Sequence, residues 1–75
     1  MNQFPILYNN QQIQVIGEWV GKSKQYSIYL DNTSPVIIEL DFEPETNFPV
    51  WVEIGKGATD LAKELGELIS KHEFK

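Results

Sequence analysis

The chain of 75 residues has no cysteine, no arginine and one histidine. Without cysteine there is neither a disulfide framework nor a thiolate metal site, which suits a reducing compartment. No apolar run approaches the ~20 residues that a membrane helix requires. The start, Met1-Asn2-Gln3-Phe4-Pro5, has no positive segment and no apolar segment of the signal-peptide kind, so a cytoplasmic protein is expected. Arginine supplies most bidentate recognition of phosphate and guanine. All six basic residues are lysines, set against eleven acidic ones for a formal charge of −5. Binding of duplex DNA is therefore not expected.

What the chain does have is alternation. Up to about Gly55, β-branched and aromatic residues alternate with polar ones; beyond it alanine, leucine, lysine and glutamate dominate. The first part reads as strands over 4–8, 13–20, 25–30, 36–42 and 50–54, and the second as a helix over 59–71. Asn9-Asn10-Gln11, Gly21-Lys22-Ser23-Lys24, Asp31 to Pro35 and Pro44 to Asn47 are the turn signals. Gly17 interrupts the second run, as a bend or bulge does. Every connection is short, which favours an antiparallel meander over parallel crossovers. The expected fold is one α+β domain, a curved antiparallel sheet of about five strands followed by one C-terminal helix on one face. The first run is short and contains Pro5, so four strands plus an edge arm is the alternative count.

Period-two reading divides the strands into two faces. One carries Phe4, Ile6, Tyr8, Ile13, Val15, Trp19, Tyr26, Ile28, Leu30, Val36, Ile38, Leu40, Phe42, Val50, Val52 and Ile54, and is the expected core. Leu61, Leu65, Leu68, Ile69 and His72 recur at helical spacing with Ala58 and Ala62 beside them, the stripe that covers it. Thr59 or Gly57 is the expected N-cap, with Asp60 in the first turn. A helix of three to four turns spans roughly 20 Å, so the sheet must curl to be covered.

Catalytic chemistry finds little support. His72 stands alone at the helix end, where capping or packing is its expected role. Ser23, Ser27, Ser34 and Ser70 lack a context that activates a nucleophile. Gly55-Lys56-Gly57-Ala58-Thr59 has glycines and a lysine near a helix start, but not the order of a Walker loop. Glu39, Asp41 and Glu43 line one strand face with Glu45 beyond, yet alternate positions lie nearly 7 Å apart and no loop gathers them around a cation. Neither enzyme activity, a cofactor nor a metal is expected.

The second sheet face is the more informative one. It reads as Leu7, Gln14, Ile16, Glu18, Val20, Ser27, Tyr29, Ile37, Glu39, Asp41, Trp51 and Glu53. Apolar residues scattered singly on a surface need no explanation. A contiguous patch around Ile16, Tyr29, Ile37 and Trp51, fringed by Glu39, Asp41 and Glu53, marks a protein interface. The expected function is a small acidic non-catalytic module, a regulator, inhibitor or adaptor, that binds another protein with a basic surface. Its size and charge also suit a phage or mobile-element protein. A homodimer without further ligand is a further alternative, since a short chain gains stability by burying a second face.

In general architecture, a curved antiparallel sheet followed by one helix resembles the single-strand-binding transcriptional coactivator family. That resemblance implies single-stranded nucleic-acid binding through basic and aromatic residues on the sheet. Here only Tyr29, Trp51, Lys22 and Lys24 answer to it, among carboxylates.

Overall fold

The computed structural model describes residues 2–30 and 34–73. Five strands, β1 (Asn2–Tyr8), β2 (Gln11–Val20), β3 (Ser23–Tyr29), β4 (Val36–Phe42) and β5 (Pro49–Glu53), precede one helix, α1 (Asp60–Glu73). The strands pair in sequence order, each antiparallel to the next, in an open, curled sheet. The expected α+β meander with a C-terminal helix is the observed fold, and β1 joins the sheet.

Local chemistry sets the hairpins. Asn9 and Asn10 take φ of 51° and 62°, the left-handed pair that a two-residue turn needs to match strand twist. In the β2–β3 turn Gly21 alone takes a positive φ, 65°, before Lys22. These tight turns let the ladder close at once, with Tyr8 opposite Gln11 and Val20 opposite Ser23. β2 and β3 therefore begin two residues earlier than hydrophobicity indicates. Polar Gln11, Gln12, Ser23 and Lys24 complete backbone pairing without joining the core. Gly17 makes no bulge, because pairing runs through it without a slip on both sides. It makes room instead: a Cβ there would lie 3.1 Å from the ring of Tyr26 opposite.

The helix is capped as its sequence requires. Thr59 Oγ1 accepts the Ala62 backbone N–H at 3.0 Å, the N-cap geometry, while its hydroxyl donates to Glu53 Oε1 at 3.0 Å. Asp60 begins the first turn and Lys71 and His72 lie in the last, both favourable to the helix dipole. Thr59→Ala should cost about 1–2 kcal/mol, since it removes the cap and one partner of a buried carboxylate. Thr59→Ser should restore most of it, and denaturant unfolding would measure both.

Phe4, Ile6, Ile13, Val15, Tyr26, Ile28 and Ile38 from the sheet meet Ala62, Leu65 and Ile69 from the helix. The helix packs on β5, β4 and β1, crossing the sheet from one edge strand to the other. Its far end reaches Asn2, whose side-chain amide donates to Glu73 at 2.6 Å, and Lys24, which pairs with the same carboxylate at 3.5 Å.

Three expectations about the faces are corrected. In β5 the parity is reversed: Glu53 lies opposite Ile38 and Trp51 opposite Leu40. Directly opposed residues share a face, and Ile38 is fully buried. Trp51 and Glu53 therefore point to the helix, and Val50 and Val52 point away. Second, Trp19 shares the core parity but is 68% exposed, because the helix crosses the sheet without reaching that end of β2. Phe42, 58% exposed, is left uncovered in the same way.

Candidate functional site

Among the described residues, the sheet face turned away from the helix has no element over it. Its transverse rows follow from the register. Ile16 lies opposite Gln3 and Ser27, and Ser27 lies opposite Ile37, which places Ile16 and Ile37 in one line across β2, β3 and β4. Tyr29 lies opposite Gln14 in the neighbouring row. On the other side of that line Gln25 faces both Glu18 and Glu39, and Glu39 in turn faces Val52. Asp41 lies opposite Val50 at the end of β4.

Of the residues singled out by sequence, Ile16, Tyr29, Ile37, Glu39 and Asp41 are thus brought together on one surface. Tyr29 and Asp41 are exposed and the other three half-buried. Glu39 accepts a hydrogen bond from the Gln25 side-chain amide at 3.2 Å, which holds its carboxylate in the plane of the face. Glu18 and Asp41 are exposed. Among the described residues of these strands, no lysine or histidine shares this parity, so the face is negative throughout. Val50 and Val52, absent from the sequence-based reading of this face, extend its apolar part.

Trp51 and Glu53 do not belong to it. The Trp51 ring meets Tyr26 edge-on, with centroids 5.7 Å apart and planes at 64°, and lies against the helix backbone at Gly66. Glu53 is 9% exposed. Besides Thr59, its carboxylate meets Lys56 at 3.4 Å, and its backbone exchanges hydrogen bonds of 2.7 and 2.9 Å with Gly57. Glu53 therefore closes the strand-to-helix turn rather than steering a partner. The same bonds explain the glycine and lysine segment 55–59, which folds back onto a carboxylate. A carboxylate already lies at that helix start, so a second anion there would meet like charge.

His72 stacks on Phe4 with centroids 4.2 Å apart and planes within 6°. This seats the helix end on β1. Burial raises the Tyr26 hydroxyl pKa above its usual value, an effect that the Lys24 ammonium partly offsets. Among the described residues, no group of three or more His, Asp or Glu side chains is placed to hold a metal ion. No described helix is long and apolar enough to cross a membrane.

The sheet edges carry proline. Pro5 lies in β1 and Pro49 begins β5, the two outermost strands. Proline has no N–H to offer an added strand, and the Gly57 turn covers the end of β5. Both features disfavour the addition of a further strand at these edges. Comparison with known protein families, curated proteins and solved structures finds no match in any of the three.

Proposed function

We propose that this chain is a non-catalytic protein-interaction module that binds a basic surface of another protein through the uncovered sheet face. One observation carries the reading. Ile16, Tyr29, Ile37 and Val52 share a face with Glu18, Glu39 and Asp41, and no cation among the described strand residues balances them. Apolar anchors supply affinity once water leaves, while rim carboxylates steer the approach of a positive partner. Such steering changes association rates by 10- to 1,000-fold and weakens with salt.

Self-association through this face is less favourable. A two-fold contact presents the same patch to itself, so an acidic face would meet an acidic face with no lysine among its described strand residues to pair Glu18, Glu39 or Asp41. Like charges brought together at an interface cost several kcal/mol. Nucleic acid meets the same repulsion. A regulator or inhibitor that occludes a basic surface is the role these features suit.

The test reverses the charges and keeps the fold. Glu18→Lys/Glu39→Lys/Asp41→Lys should retain the native melting temperature within a few degrees, because these side chains lie on the uncovered face. It should lose the partners that the native protein captures at low salt and releases as salt rises. Lys22→Glu, away from the face, should keep them. Capture of the same partners by the triple variant, with unchanged salt dependence, would falsify the reading.

A further inference from the structure

The uncovered end of the helix-side face forms a second surface of different chemistry. Trp19, Phe42, Trp51, Tyr26 and Leu40 line a cleft of about 410 Å³. Both tryptophans of the chain are among them. Lys24 lies opposite Trp19 in the β2–β3 pair and Trp51 opposite Leu40 in the β4–β5 pair, so the cleft runs along a line across the sheet from β2 to β5. The crossing helix leaves this line open, and that is why Trp19 and Phe42 stay exposed. A cleft of this volume, apolar with a few charged groups at the rim, has the dimensions of a small-molecule site.

We propose that this cleft binds a small planar aromatic anion. The aromatic lining selects the body of the ligand, since flat rings stack on or meet edge-on the faces of Trp19, Phe42 and Trp51. The rim selects its charge. Lys24 already pairs with Glu73 at 3.5 Å and lies 5.3 Å from the Tyr26 ring centroid. Lys22, at the exposed β2–β3 turn, has no carboxylate partner among the described residues and also lines the cleft. Asp41 lines the β4 side, so an anionic substituent is directed to the β2–β3 side. A strand of nucleic acid would carry phosphates past Asp41 as well; a single small anion need not.

The aromatic lining lies on the opposite face from the proposed protein interface; Asp41, at the end of β4, borders both, so the test changes neither Asp41 nor the interface anchors. The two indole N–H resonances report the cleft directly. Titrated with naphthoate, the protein should show saturable shifts of both signals, while the backbone amides of Ile16 and Ile37 stay still. Naphthamide, equal in shape and uncharged, should bind about fivefold more weakly, as expected for one ion pair at a solvated rim. Lys22→Gln should abolish that preference, and Trp19→Ala should weaken naphthoate by about tenfold or more. Both substitutions lie at exposed positions, and retained amide spectra would confirm the fold. Equal binding of the two probes, a preference that survives Lys22→Gln, absence of saturable indole shifts, or shifts centred on Ile16 and Ile37 would each overturn the proposal.

Discussion

Gly66→Ala should destabilise the fold by about 2 kcal/mol, although alanine is the better helix former by about 1 kcal/mol. Gly66 is buried in the middle of α1, and a Cβ there would clash with the Trp51 ring. Neither side yields easily. The helix is held by Leu65 and Ile69, both fully buried, and Trp51 is held edge-on against Tyr26. Overpacking of this kind costs typically 1–3 kcal/mol and occasionally more, which outweighs the propensity gain. For a domain of this size the melting temperature should fall by roughly 10 °C. The double-mutant cycle is the sharper measurement. Trp51→Ala alone should cost about 3 kcal/mol, and in that background Gly66→Ala should become neutral or stabilising. Were Gly66→Ala stabilising in the native background, Trp51 would have to lie on the other face of β5.

That pair also shows where period-two reading stops. In β2, β3 and β4 the two faces differ in polarity, so alternation assigns them without ambiguity. Ile13 and Val15 oppose Gln12, Gln14 and Glu18, and Ile38 and Leu40 oppose Glu39 and Asp41. In β5 the residues are Pro49-Val50-Trp51-Val52-Glu53, where only Glu53 is charged. Placing that carboxylate outward turns Trp51 outward with it. The structure does the reverse because Glu53 finds its partners within six residues, in Thr59, Lys56 and the Gly57 backbone. A locally satisfied carboxylate can be buried at modest cost. Gly66 was the available signal: a glycine in a helix interior marks a close approach, here by an aromatic ring.

Trp19 and Phe42 illustrate a different limit. Alternation gives the face a residue occupies, not whether anything covers it. Coverage depends on the path of a helix of 14 residues, about 21 Å long, over five strands spaced roughly 4.8 Å apart. The helix start is tied to β5 through Thr59 and Glu53, and its end to β1 through His72 on Phe4. A diagonal fixed at those two points leaves the β2–β3 turn end open. No single segment of the sequence contains that information. The shared face of Ile16, Tyr29 and Ile37 was legible because strand alternation alone fixes it.

The neighbours Ile37 and Ile38 provide the test that joins fold to function. Ile38→Lys should unfold the protein, and Ile37→Lys should leave it folded but unable to bind its partner. The two substitutions change the same side chain to the same cation, one residue apart. Ile38 is fully inaccessible, opposite Tyr26 and Glu53 and within the core that Leu65 and Ile69 complete. Glu53 offers no rescue, because its carboxylate is already shared between Thr59 and Lys56. An unpaired buried ammonium costs more than ~4 kcal/mol, a large part of the ~4–11 kcal/mol that stabilises a domain of this size. Ile37 is half-buried on the uncovered face, two residues from Glu39 along the same strand and opposite Ser27. A lysine there keeps its ammonium in water and should change stability by no more than about 1 kcal/mol. For a basic partner the consequence is severe. The substitution removes a central apolar anchor, which costs about 2 kcal/mol or roughly 30-fold in affinity, and also places a positive charge among carboxylates that attract positive charge. Circular dichroism and thermal unfolding read the first effect, and partner capture at low salt reads the second. If Ile37→Lys captured the partner as well as the native protein does, the uncovered face would not be the docking surface.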